Sequence, residues 1–202
     1  MVNVYTVFVK SKVYTKEWVY RIKRSLERNS TVPFNFFCMT NENLLGIQTL
    51  PLYNESGWWA KMELCRPDIK GIVHYMDLDT IITGNVDFFL NETESLLYQD
   101  WLWEDQKESA VFCLNEEHRR TVWEFWEKDP RSHMFNFFGD GRVYNFCIGK
   151  QVRSIQEKHP NRLFTWKKTN KESLPMGCKI LSFSGNPKPT DFDDDHWIKK
   201  YW

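Results

Sequence analysis

Two runs of strand-forming residues on either side of an amphipathic segment constrain this chain more than anything else in it. "VNVYTVFV", residues 2–9, is dominated by β-branched and aromatic residues, the composition of a buried first strand. "TKEWVYRIKRSLERN" follows and sets Trp18, Val19, Ile22 and Leu26 on one helical face, with charges on the other. "FNFFCMT" reads as a second strand, "GWWAKMELCRP" as a short helix stopped at Pro67, and "GIVHYM" as a third strand. Strand, helix, strand, helix, strand in that order implies parallel pairing, with helices on the faces of the sheet. Beyond residue 90 the sequence predicts a loop region with Trp101 and Trp103, the strand "AVFCL", and the helix "EEHRRTVWEFWEK" with Val122, Phe125 and Trp126 inward. A glycine-bearing segment "FNFFGDGRVYNFCI", a helix near residues 150 to 158 and a last strand "CKILSF" complete the reading. The 202 residues show no repeat or linker, so one α/β domain over 1–202 is expected, its central sheet mostly parallel and flanked by helices.

The third strand ends in an unusual way. In "VHYMDLDTIITGN", residues 73–85, Asp77 and Asp79 stand between an apolar strand and an apolar continuation. Carboxylates are costly there unless paired, capped or bound to metal. Open α/β sheets bind ligands at the carboxyl ends of their strands, where two such groups can share a hard cation and, through it, a diphosphate. A helix cap or turn is the other open reading. With twelve aspartates in the chain, about one DxD arises by chance, and two more occur at Asp191/Asp193 and Asp193/Asp195. In "FSGNPKP", residues 183–189, Gly185 permits close backbone approach while Pro187 and Pro189 fix where Lys188 projects. A lysine so held can grip phosphate, or the segment is a surface loop. In "GWWAKMEL", Trp58 and Trp59 can wall a pocket and Lys61 can reach an anion there, or the lysine is solvated beside two core tryptophans.

Lysine plus arginine and aspartate plus glutamate both total 27, so no overall field draws the chain to nucleic acid or an anionic membrane. Aromatic residues make 16% of the chain, including ten tryptophans, which tilts the reading toward a ligand with a stackable face, a sugar or a nucleotide. Five dispersed cysteines form no CxxC pair, no basic leader precedes a long apolar segment, and nowhere do roughly 18 uncharged apolar residues run together. A cytoplasmic protein without a membrane span is expected. The N-x-[ST] triplets at Asn29, Asn54 and Asn91 are then chance matches.

From about Val7 to Trp202, "VKSKVYTKEWVYRI", "PFNFFCMTNE", "GIQTLPL", "GWWAKMEL", "HYMDLDTIITGNVDFF", "FGDGRV", "FTWKK", "LPMGCKILSFSGNPKP" and "HWIKKYW" follow one another in an order that resembles GT-A type, Rossmann-like glycosyltransferases. More narrowly, the chain resembles the compact family-8-like enzymes of bacteria and their phages. The resemblance implies transfer of a hexose or pentose from a UDP-sugar to an acceptor hydroxyl with retention, using Mn2+ or Mg2+. Position by position it gives Lys10, Tyr14, Thr40 and Asn41 to the nucleoside, and Lys61, Lys188 and the Gly185 backbone to the diphosphate. Trp59 and Leu78 join the donor group, Asp77 faces ribose and metal, and Asp79 is the firmest metal ligand. The donor half would be about residues 1–90, the acceptor side and donor-closing tail about 91–202. The departures are specific. Ser182 and Ser184 stand where relatives carry a metal-binding histidine, so a metal ligand is missing, or His196, Asp191 or water replaces it. The relatives' GDQ is "GDG", keeping Asp140, which would orient or deprotonate the acceptor hydroxyl or simply fix its turn. Their asparagine-serine pair ahead of the middle strand is "ESAVF". The acceptor could be a glycan, a small molecule or a hydroxylated base in phage DNA. The competing reading is a binding module that holds a nucleotide sugar or glycan without turnover.

Overall fold

The chain alternates as expected at its start. In the computed structural model, which describes residues 1–53 and 57–202, β1 (Val2–Val7) is followed by α1 (Lys16–Asn29), β2 (Phe34–Met39) and a short β3 (Gln48–Leu50). A 3-10 helix (Gly57–Cys65) then leads to β4 (Val73–Met76). The triplet at Asn54 lies outside the described residues. β5 (Ile81–Ile82), α2 (Asp87–Leu90), β6 (Leu96–Gln99) and β7 (Lys107–Leu114) come next. The second half contains α3 (Glu116–Trp126), α4 (Pro130–Asn136), α5 (Asp140–Ile148), β8 (Arg153–Ser154), α6 (Ile155–Lys158), β9 (Leu163–Thr165) and β10 (Ile180–Ser182).

Seven strands form the main sheet in the order β3-β2-β1-β4-β7-β6-β8, and β5-β10-β9 form a small second one. β1 pairs in parallel with both β2 and β4, as the crossover helices require. The sheet changes sense at β7, which is antiparallel to β4 and to β6; four of its six pairings are parallel. Alternation along the strands explains their near-continuous apolar sequences. Val4 and Met76 face the layer formed by α1, with Trp18, Val19, Ile22 and Leu26 buried against them. Tyr5 and Tyr75 face the opposite layer, where Met62, Val122, Trp126 and Tyr144 come from the 3-10 helix, α3 and α5. Both faces are covered, so neither shows a polar stripe.

Three expectations differ. The glycine-bearing segment is helical: α4 and α5 flank Gly139, whose φ of +99° turns the chain between them. Val143, Tyr144 and Ile148 form the buried stripe of α5, a helical spacing that the glycines and aromatics of "FNFFGDGRVYNFCI" obscure. The helix expected near 150–158 is only the single turn α6, because Arg153 and Ser154 pair with β6 first and Ser154 then caps the turn in a reciprocal box with Glu157. "CKILSF" supplies β10 to the small sheet, not to the main one.

Leu26, fully buried beneath α1, offers a direct test of this packing. Leu26→Ala is expected to cost about 2–5 kcal/mol, seen as a lower urea midpoint at unchanged slope.

Candidate functional site

The DLD segment is where the chain passes from one sheet to the other. β4 ends at Met76, β5 begins at Ile81, and a turn with Thr80 N–H donating to the Asp77 carbonyl (3.1 Å) joins them. Two antiparallel partners approach this turn. β7 runs opposite β4, so its start lies beside the end of β4, and Asp77 N–H donates to the Ala110 carbonyl at 2.9 Å. β10 runs opposite β5 with Leu181 facing Ile81, so the segment leaving β10 returns past Asp79. That segment is "FSGNPKP", and its turn brings Lys188 to Asp79.

A cavity of about 740 Å³ opens at this junction. Tyr14, Lys61, Asp77, Leu78, Asp79 and Asp140 line it, as do Gly185 and Lys188, so most of the expected site residues meet there. Asp79, buried, accepts from the Tyr14 hydroxyl at 2.8 Å and pairs with the Lys188 ammonium at 2.5 Å. Lys61, also buried, lies 3.0 Å from Asp77 Oδ1 and 3.1 Å from Asp140 Oδ2, with the Ser109 hydroxyl at 3.4 Å. Asp140 Oδ2 also accepts from the Ser109 hydroxyl, and its place in the first turn of α5 favours a negative charge. Gly185 adopts φ +69°, a backbone open to glycine and strained for other residues, which lets the turn bend toward the cavity.

Four expected donor residues lie outside the lining. Lys10 is exposed just beyond β1. Thr40 is buried, its hydroxyl accepting from Glu42 N–H at 3.1 Å, and the Asn41 side chain pairs reciprocally with the Leu52 backbone. Trp59 stacks on Trp126 in the core at 5.3 Å between ring centroids, while its neighbour Trp58 faces the cavity and is 64% exposed. The two suggested replacements for the histidine are placed elsewhere too: Asp191 accepts from Lys188 N–H, and His196 packs among Trp166, Phe192 and Trp197.

The cavity contains residues that strand-and-motif reading missed. Asp100, Glu108 and Arg142 line it, and Asp100 pairs with Arg142, which covers Trp103 at 4.1 Å from the ring centroid. An apolar rim surrounds the acids: Trp58, Trp103 and Phe138, with Val13 and Leu102, are all exposed there. The Trp101–Trp103 cluster and the ESAVF departure were the visible signals for this wall.

Among the described residues five acids, Asp77, Asp79, Asp100, Glu108 and Asp140, face three bases, Lys61, Arg142 and Lys188. Burial, and after it the neighbouring charges, governs the titration behaviour. Burial pushes the Asp77 carboxyl up to about 6, Lys61 opposing and Asp79 adding to the rise. Burial works against the Lys61 ammonium, but Asp140 and Asp77 together hold it above its ordinary value. The Tyr14 hydroxyl is raised by burial and then by Asp79 and Asp77. Among the described residues no three histidine, cysteine or acidic side chains gather into a group able to hold a metal by themselves. Asp77 and Asp79 nevertheless suit a hard cation that takes its other ligands from phosphate oxygens and water, and the surplus of acids is the charge such a cation offsets.

Burial and then Asp100 raise the Glu108 carboxyl to about 8, with Lys61 opposing. An acid raised on folding stabilises the protein below its ordinary value of 4.5 and loses that contribution as pH rises through about 8. Thermal melts from about pH 5 to about pH 8 are therefore expected to show a smaller loss of stability in Glu108→Gln than in the parent.

Comparison with known proteins was informative only at the level of structure. No protein-family model and no curated protein matches the chain. The apo form of the glycosyltransferase GlyE of Streptococcus pneumoniae TIGR4 superposes with a TM-score of 0.68 at 15% identity, covering 100% of this chain and 59% of GlyE. LgtC, a galactosyltransferase solved with donor and acceptor sugar analogs, superposes with a TM-score of 0.66 at 12% identity, covering 98% of this chain and 93% of LgtC. An active-site mutant of LgtC gives 0.62 at 11% identity. The chain thus spans about three fifths of the length of GlyE. Its fold is that of the GT-A type glycosyltransferases, a mixed α/β sheet flanked by helices.

Proposed function

We propose that the chain is a metal-dependent glycosyltransferase that moves a sugar from a UDP-sugar to an acceptor hydroxyl with retention. The observation that carries this reading is the meeting of Asp77 and Asp79 with the Gly185–Lys188 turn across one cavity of a GT-A fold. Asp77 and Asp79 would hold Mn2+ or Mg2+ together with the diphosphate. The ion supplies charge neutralisation for the departing group. Lys188 lies within reach of Asp79, and therefore of any diphosphate bound through it, while Gly185 gives its backbone close approach. Tyr14, edge-on against Trp18, would border the nucleoside. Lys61 links the donor carboxylate Asp77 to Asp140 and so couples the two halves of the site.

In the transfer, the bond from the anomeric carbon to the diphosphate oxygen breaks with its electron pair leaving on UDP. The acceptor oxygen forms the new bond, and its proton passes to a base at the site. Asp140, at the start of α5 and in the lining of the same cavity, would orient that hydroxyl or take the proton. A glycan acceptor is favoured by the rim of Trp58, Trp103 and Phe138, whose faces suit the apolar side of a sugar ring. A DNA acceptor has less support. Arg119 of the basic "EEHRR" segment is buried, its guanidinium donating to the carbonyls of Leu64, Ile69 and Gly71. Ser182 and Ser184, standing where relatives carry a metal-binding histidine, favour the second reading, a binding module without turnover. No helix among the described residues is long and apolar enough to cross a membrane.

A panel of nucleotide sugars with manganese, scored for binding and for release of UDP, separates the two readings. Turnover supports the enzyme, and binding without release supports the module. Asp79→Ala is expected to abolish metal-dependent binding of the donor; calorimetry showing the parent's metal dependence in that variant would remove the metal assignment. Lys188→Ala is expected to weaken UDP by about 1.5–3 kcal/mol, the worth of a hydrogen bond to a charged group. Asp140→Asn should leave UDP affinity near the parent's and slow transfer by about 100-fold or more; full transfer in that variant would end its assignment as acid or base.

A further inference from the structure

Four of the five acids in the cavity are matched with a cation: Asp77 and Asp140 with Lys61, Asp79 with Lys188, and Asp100 with Arg142. Glu108 is the exception among the described residues. Among the described residues its side chain has one hydrogen bond, a long one, from the Ser184 hydroxyl to Oε1 at 3.4 Å. Two segments close on it from opposite sides. A Cβ placed on Gly141 would lie 3.0 Å from the Glu108 Cβ and 3.3 Å from its Cα, so the GDG segment rests directly on this residue. Ser184 precedes Gly185, so the turn carrying Lys188 meets Glu108 from the other side. Lys61 reaches the Ser109 carbonyl and hydroxyl next along β7, which ties the same strand to Asp77 and Asp140.

Glu108 thus stands between the segment assigned to the acceptor and the turn assigned to the diphosphate, the position a transferred sugar has to occupy. We propose that Glu108 is a specificity-determining residue that hydrogen-bonds a hydroxyl of the sugar being transferred, an inference that rests on the UDP-sugar reading above. The charge around it fits that role. Burial and the nearby Asp100 push its carboxyl up to about 8 against the pull of Lys61, and Asp77 and Asp140 push in the same direction. Near neutral pH the group is a carboxylic acid, able to donate and to accept, as a sugar hydroxyl does. A neutral group also adds no negative charge beside a departing diphosphate.

The test is calorimetric titration of the parent, Glu108→Ala and Glu108→Gln with UDP, UDP-glucose, UDP-galactose and UDP-N-acetylglucosamine in the presence of manganese. The parent is expected to separate the three sugars by about tenfold, the worth of one good hydrogen bond. Glu108→Ala should bind UDP as the parent does while the separation collapses, and Glu108→Gln should keep it because an amide also donates and accepts. Glu108→Leu, which fills the same space, replaces the alanine variant should that variant unfold at the assay temperature. An unchanged separation in the alanine or leucine variant overturns the assignment and leaves the donor reading standing. A parent that binds UDP but does not separate the sugars overturns the assignment alone. A parent that binds neither UDP nor any of the three sugars overturns both.

Discussion

One buried ammonium holds the site together. Lys61 comes from the 3-10 helix, Asp77 from the end of β4, Ser109 from the start of β7 and Asp140 from the first turn of α5, and all of them meet at its Nζ. A charge removed from water is tolerated only when its partners satisfy it, and these partners come from three elements other than its own. Removing the lysine would leave two carboxylates facing each other with no cation between them. The geometry of the acids, the entry of α5 and the seating of the 3-10 helix against the sheet are therefore one arrangement.

The same accounting explains the cavity's chemistry. Internal pairing uses all three of its bases and leaves an excess of acid. Structures that carry such an excess commonly do so because a ligand supplies the missing charge or the missing hydrogen bonds. In this cavity the two demands fall in different places. Asp77 and Asp79 lie where a cation and a diphosphate would be shared, while Glu108 lies between the two closing segments. The apolar rim of Trp58, Trp103 and Phe138 lies outside them.

Much of the main sheet was legible in the chain. The β1, β2 and β4 segments, the amphipathic face of α1, and the strand-end position of Asp77 follow from periodicity and composition. The second half was harder to read because its helices are short and marked by glycine and aromatic residues. α5 hides its stripe in "GDGRVYNFCI", and β6 lies in a region that reads as loop. Of the residues assigned through resemblance, Lys61, Asp77, Asp79, Asp140 and Lys188 gather in one cavity, whereas Thr40, Asn41 and Trp59 are engaged elsewhere.

The sequence by itself determined the α/β class, the parallel first half and the two carboxylates at a strand end, because side-chain periodicity and the cost of burying charge are local properties. Only the tertiary structure decided which groups those carboxylates face. The antiparallel returns of β7 beside β4 and of β10 beside β5 bring residues more than a hundred positions apart, Asp79 and Lys188, into contact. No local pattern encodes a strand's register against a distant partner. For the same reason Glu108, an ordinary glutamate at the start of a strand, becomes the one cavity acid among the described residues without a paired cation only when the segments of Gly141 and Ser184 have closed on it from either side.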